Sequence, residues 1–272
     1  MTLITASILL LSGLLLLGFT ADILVKGSVS LAVRHGIPKS VVGLTIVAFG
    51  TSAPELVTSI TANFKGAPDA SVGNVIGSNL FNLLVVVGVS CLLKPVGVGK
   101  LTRILEWPFL ILSGVLFLWL GRDSQFDRLE GLTLFTIFCA FVFFIIRMSK
   151  GKDVQVDEEI QLIPEKWKEW FFIVSGIVGL AIAAQVALEG AVFLGKYVGM
   201  SERLIGLTIL SVGTSLPELA TSTVAAMRGH DEISVGNVIG SNVMNILAVV
   251  GATATISNID VNPIVISHDG VW

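Results

Sequence analysis

Long apolar runs alternate with short polar breaks along the whole chain. Runs of about 20 apolar residues, the length that crosses a hydrocarbon core of about 30 Å, predict an all-α fold of about eight membrane-spanning helices. They run from about Leu3 to Val33, Val41 to Phe64, Ser71 to Leu93, Trp107 to Leu120, Leu129 to Ile146, Trp170 to Tyr197, Leu204 to Met227 and Ser234 to Ile256. The first exceeds a perpendicular span and holds Asp22 and Lys26, which tilt or snorkelling accommodates. The fourth and fifth carry no internal charge and read as scaffold. Between Arg147 and Glu169, acidic residues Asp153, Asp157, Glu158 and Glu159 mix with lysines. That interval lacks the alternating Asp/Asn spacing and the glycine of a calcium-binding loop, so it reads as a solvated linker.

The pattern repeats. At a shift of 163 residues, Gly43 to Asn82 overlays Gly206 to Asn245 without a gap, with roughly 24 of 40 positions identical. Ser12, Gly13, Gly27 and Gly36 match Ser175, Gly176, Gly190 and Gly199 at the same shift. Spans one to three therefore correspond to spans six to eight. The expected units are a first repeat at 1–147, a linker at 148–169 and a second repeat at 170–272. Trp272 falls opposite Phe109, at the start of the fourth span, so the second repeat is expected to lack its last two helices. Five crossings per repeat is odd, which makes the repeats inverted. Lys and Arg concentrate after spans one, three, five and seven, at Arg34, Lys39, Lys94, Lys100, Arg103, Arg147, Lys150, Lys152, Lys166, Lys168 and Arg228. The positive-inside rule places those loops in the cytoplasm and the amino terminus outside.

Composition agrees with a membrane protein: 53% hydrophobic and 14% charged residues, with a mean hydropathy of +0.88. A net charge of -3 with no basic stripe is too small to imply a nucleic-acid partner, and none is expected; the lipid bilayer is the expected surrounding, and no protein partner is evident. Cys91 and Cys139 read as packing residues, His35, His230 and His268 form no metal spacing, and Trp107, Trp167 and Trp170 read as interface anchors. Lys26 and Glu189 hold equivalent repeat positions with opposite sign.

Inside this apolar chain the run Gly50-Thr51-Ser52-Ala53-Pro54-Glu55 sets a carboxylate at membrane depth, and Gly213-Thr214-Ser215-Leu216-Pro217-Glu218 sets a second. Proline cannot donate to the carbonyl four residues back, so helix breaks are expected at Gly50 and Gly213. Backbone released there is tolerated when it lines a cavity or finds a partner such as a cation. Thr51 with Glu55, Thr214 with Glu218, Ser78 with Asn82 and Ser241 with Asn245 each stand at i and i+4. The donor set is hard oxygen, without thiolate or imidazole, and suits sodium or calcium. Two facing carboxylates must bind a divalent cation, bind monovalent cations or take up protons. Single Ser or Thr residues in such helices ordinarily bond the preceding turn, and glycines ordinarily serve packing.

At these residues the chain resembles the sodium/calcium exchanger family of the cation/calcium antiporter superfamily, particularly its prokaryotic members. That family carries G-T-S-x-P-E followed by G-N-x-x-G-S-N-x-x-N/D in each of two repeats; here they read GTSAPE with GNVIGSNLFN, and GTSLPE with GNVIGSNVMN. The resemblance implies inverted five-helix repeats and central calcium ligands Glu55 and Glu218, also used by sodium. It implies oxygens from Thr51, Ser52, Ser78, Thr214, Ser215 and Ser241, and backbone oxygen from Ala48 and Ser211. It also implies alternating access by sliding of the first and sixth helices. Asn245 departs from members with Asp there, which removes a protonatable group.

The expected function is calcium/sodium antiport across a prokaryotic cytoplasmic membrane, with calcium extruded, no covalent chemistry and no cofactor beyond the transported ions. A calcium/proton exchanger is the alternative, a passive cation channel a further rival, and a metalloenzyme lacks its H-E-x-x-H constellation.

Overall fold

A computed structural model describes residues 1–149, 163–201, 205, 208–209 and 211–267. The helices are α1 (Leu3–His35), α2 (Lys39–Thr51), α3 (Ala53–Phe64), α4 (Pro68–Leu93), α5 (Thr102–Asp123), α6 (Arg128–Ser149) and α7 (Lys166–Tyr197). They continue as α8 (Ser211–Thr214), α9 (Leu216–Met227), α10 (Asp231–Ile256) and α11 (Pro263–Ser267). Two-residue strands β1 (Gln125–Phe126) and β2 (Ile259–Asp260) pair antiparallel.

Among the described residues six helices are long and apolar enough to span a membrane, and α2 with α3 makes a seventh span bent by 45°. The seventh expected span in chain order, Leu204 to Met227, lies partly outside the described residues; what is described of it, α8 and α9, turns at Ser215. Several spans begin earlier than the apolar runs suggest. The fourth starts at Thr102 and takes Glu106, fully buried, into its first turns, so it is not the uncharged scaffold expected. The sixth starts at Lys166. Its Glu169 is buried and accepts from Ser30 Oγ at 2.7 Å while pairing with Arg34, which corrects the solvated reading at that end of the linker. The central acidic stretch with Asp153, Asp157, Glu158 and Glu159 lies outside the described residues.

Small residues explain how the helices approach. α1 and α7 pack along their length: a Cβ on Gly13 would lie 2.5 Å from Ala187 N, one on Gly176 2.7 Å from Leu24, and one on Gly190 2.6 Å from Ala6 O. The Arg34–Glu169 pair closes one end of this interface, and the Arg34 guanidinium also donates to Ile163 O. α1 is tied to the end of α9 by Asp22, which pairs with Arg228 at 2.8 Å and with Lys26 at 2.7 Å. Lys26 therefore has a specific anion while its side chain stays exposed; Glu189 accepts from Gln185 at 3.2 Å.

α10 is buried along nearly its whole length, whereas the other spans keep one apolar side outward. That outward side, with Leu15, Leu84, Leu92 and Leu129 largely exposed, is the surface that lipid covers. Trp107, Trp167 and Trp170 are exposed as expected of anchors. Cys91 and Cys139 are unpaired and exposed, not packed inside as the sequence suggested. α2 crosses α10 backbone to backbone, since a Cβ on Gly240 would come within 2.3 Å of Leu44 O and one on Gly236 within 2.4 Å of Ser40 O.

Adding a methyl at such a crossing forces the helices apart. Gly240→Ala is expected to destabilise the protein by about 1–3 kcal/mol. Gly18→Ala, where a Cβ meets nothing within 4 Å, is expected to be neutral or to stabilise by up to about 1 kcal/mol through helix propensity. Thermal unfolding of the two variants in detergent checks the contrast.

Candidate ion-binding site

The breaks fall at the serines, not at the glycines. α2 ends at Thr51, Ser52 leaves helical geometry with φ -88° and ψ 7°, and α3 begins at Ala53 with Pro54 in its first turn. Ser215 repeats this with φ -92° and ψ 7° ahead of Leu216 and Pro217. Proline is tolerated in a first turn, where its missing N–H would have no partner, so the new helix starts beside it. Gly50 and Gly213 serve packing instead: a Cβ on Gly50 would be 2.4 Å from Ile177, and one on Gly213 2.6 Å from Leu188.

Starting a helix at each break puts Glu55 and Glu218 in a first turn, where the helix dipole favours a carboxylate. Both glutamates are fully buried. Each is held by the other half of the chain. Ser52 Oγ donates to Glu218 Oε1 at 2.8 Å, and Ser215 Oγ donates to Glu55 Oε1 at 3.1 Å. Ser241 Oγ reaches Glu218 Oε1 at 3.3 Å, and Ser78 Oγ lies 3.1 Å from Ser215 Oγ. Thr51 Oγ1 donates to Asn237 Oδ1 at 3.2 Å and lies 3.4 Å from Ser241 Oγ. The structure thus gathers Thr51, Ser52, Glu55, Ser78, Ser215, Glu218 and Ser241 around one buried point.

Asn82 and Asn245 sit one turn further along α4 and α10, at widened π-helical turns spanning Asn82–Val86 and Met244–Val249. Both are fully buried, and both spend their amide hydrogens across the helix pair: Asn82 Nδ2 donates to Asn242 Oδ1 and Asn245 Nδ2 to Asn79 Oδ1, each at 3.1 Å. Ala48 O accepts from Ser52 N at 2.9 Å; Thr51 Oγ1 lies 3.3 Å away, but its single proton serves either Ala48 O or Asn237 Oδ1. In the other half Ser215 N donates to Val212 O at 3.1 Å; the side chain of Ser211 lies outside the described residues. Thr214 is half-buried where Thr51 is fully buried.

Four carbonyl-type oxygens in this region, two carboxylate and two amide, are buried without a hydrogen-bond partner: Glu55 Oε2, Glu218 Oε2, Asn82 Oδ1 and Asn245 Oδ1. All four are acceptors, and they come as two repeat-related pairs. A buried acceptor without a donor is costly, and a cation satisfies several at once. Two carboxylates with neutral oxygens match a hard metal ion. Among the described residues no group of three or more His, Cys, Asp or Glu side chains gathers as a metal cluster.

Sequence reasoning missed the polar frame behind these groups. Asn74 Nδ2 donates to Ser59 Oγ at 3.0 Å and Asn237 Nδ2 to Ser222 Oγ at 2.9 Å. Ser59 and Ser222 donate on to Ser71 O and Ser234 O. These bonds pin α3 to α4 and α9 to α10. The signal was present, since all six residues keep their identity at the 163-residue shift.

A cavity of about 430 Å³ reaches the break from one side, lined by Pro54, Thr58, Ala184, Gln185 and Thr214 among others. The repeat-related positions on α9 are packed: Thr58 is exposed but Thr221 fully buried, and Leu216 and Ala220 rest on the apolar face of α1.

The sequence profile of the family described as "Sodium/calcium exchanger protein" matches residues 5–147 and 168–272. The putative antiporter CaxA of Alkalimonas amylolytica is 40% identical over 93% of this chain and 82% of its own length. The sodium/calcium exchanger MaX1 of Methanosarcina acetivorans is 30% identical over 90% of this chain and 81% of its own. The solved structure of the sodium-calcium exchanger NCX_Mj, soaked with sodium and calcium, superposes with a TM-score of 0.85 at 28% identity, covering 98% of this chain and 87% of that one. With an apolar polytopic helical fold and these matches over nearly its whole length, the chain is an integral membrane protein and belongs to the sodium/calcium exchanger family.

Proposed function

We propose that this cation/calcium antiporter exchanges calcium for sodium and extrudes calcium across a prokaryotic cytoplasmic membrane, by alternating access between inverted repeats, with its amino terminus outside. The observation that carries the reading is the set of four unpartnered buried oxygens, two of them carboxylate, on Glu55, Glu218, Asn82 and Asn245. Thr51, Ser52, Ser78, Thr214, Ser215 and Ser241, with backbone oxygen from Ala48 and Ser211, complete the proposed coordination.

The mechanism follows from charge. The two carboxylates repel each other in a medium that screens them poorly. One calcium ion or a set of sodium ions cancels that charge, and the loaded site then crosses apolar surroundings at low cost. The empty, doubly charged site does not, which couples the two ions. Neighbouring serines donate to Oε1 of each glutamate and leave Oε2 for the ion. The names of MaX1 and NCX_Mj as sodium/calcium exchangers support sodium as the coupling ion.

Vesicles containing the purified protein test this with outward gradients of sodium, protons or potassium, or none. Calcium uptake is expected to require internal sodium; uptake driven by protons alone would transfer the reading to calcium/proton exchange. Glu55→Gln and Glu218→Gln are each expected to abolish uptake while the protein still inserts, and normal uptake by both would remove the site assignment. Ser52→Ala and Ser215→Ala each take one donor from a buried carboxylate. Each is expected to change calcium affinity by about tenfold or more, the scale of a hydrogen bond to a charged group, as read by calcium titration of uptake.

A further inference from the structure

α4 and α10 meet where Asn79 faces Asn242, and the bonds there form a closed reciprocal set. Asn79 Nδ2 donates to the backbone carbonyl of Asn242 at 3.3 Å, and Asn242 Nδ2 donates to that of Asn79 at 3.4 Å. A backbone carbonyl only accepts, so each of these side chains must turn its NH2 toward the opposite helix. That fixes where their Oδ1 atoms lie. Asn79 Oδ1 then accepts from Asn245 Nδ2, and Asn242 Oδ1 from Asn82 Nδ2, each at 3.1 Å. With their NH2 groups taken, Asn245 and Asn82 are left with Oδ1 buried and unpartnered.

An asparagine amide is otherwise free to turn over and offer a donor where an acceptor is needed. Here the choice is made by an asparagine on the facing helix and is anchored in the main chain. We propose that Asn79 and Asn242 are positioning residues that set the amide orientation of Asn245 and Asn82, so that both present carbonyl oxygen to the transported cation. This rests on the reading of Glu55, Glu218, Asn82 and Asn245 as the cation site. The control crosses between halves of the chain: the first half's Asn79 orients the second half's Asn245, and Asn242 orients Asn82. Removing Asn79 lets the Asn245 amide turn, and its NH2 then repels the cation.

The test is a pair of double-mutant cycles read by equilibrium binding of radioactive calcium to the purified full chain in detergent, with uptake measured in parallel. Asn79→Ala and Asn245→Ala are each expected to weaken calcium binding about tenfold, and the double variant to bind no more weakly than Asn245→Ala alone. Asn79→Ala with Asn82→Ala is expected to be multiplicative. Maximal uptake at saturating calcium is expected to stay within about twofold for Asn79→Ala, since the carboxylates are untouched. Unchanged affinity in Asn79→Ala, or multiplicative losses in both cycles, would overturn the proposal. Asn79→Ser, whose hydroxyl cannot span both partners, gives the same cycle if the alanine variant unfolds. Glu55→Gln and Glu218→Gln separate the two levels. If they abolish binding while Asn79→Ala and Asn79→Ser do nothing, only the positioning role falls; if they leave binding intact, the cation site itself falls.

Discussion

Two carboxylates buried in an apolar chain, with only neutral groups bonded to them, are the constraint around which the structure is built. The hydrogen bonds to Glu55 and Glu218 come from serine hydroxyls, while Lys26, Arg228, Lys168 and Arg34 pair with Asp22, Glu165 and Glu169. A resident lysine or arginine would neutralise the site permanently and leave no work for a mobile cation. On the proposed function, keeping the counter-charge external is what would make the site exchangeable. It also obliges the protein to hold two repelling groups in place by backbone geometry, which is what the paired breaks at Ser52 and Ser215 do.

The sequence made the doubled carboxylates, their serines and the helical membrane architecture readable, because charge inside apolar runs and an ungapped repeat are both local signals. Other features needed the third dimension. Proline's effect was assigned to the glycine four residues back, but the chain resolves it by starting a fresh helix, which moves the break to Ser52 and Ser215. Glu169 looked like part of a solvated interval because its partners, Ser30 and Arg34, are about 135 residues away. Asn79 and Asn242 carried the same repeat signature as their neighbours, but their role depends on two helices crossing at that level.

α1 and α7 are joined by close backbone packing together with an ion pair. Glycines bring their backbones close, and the half-buried Arg34 pairs with the buried Glu169 at one end, where separation would leave the Glu169 charge without its partner. Against α9, by contrast, α1 rests on apolar side chains and on the partly exposed Asp22–Arg228 pair, a contact of the weak, exchangeable kind. The structure is therefore stiff within the α1–α7 pair and softer between it and α9.

The reciprocity of the serines has a consequence for ancestry. Ser52 serves Glu218 as Ser215 serves Glu55, the relation found when a surface pairs with a copy of itself: residue i meets j, and j meets i. Neither half alone holds a complete carboxylate site, but two copies of one half would supply every type of bond in it. A gene encoding a single half could have founded the lineage as a self-associating peptide, with fusion coming later. Once the two halves are encoded separately they are free to drift apart, as the packed Thr221 and the exposed Thr58 have done.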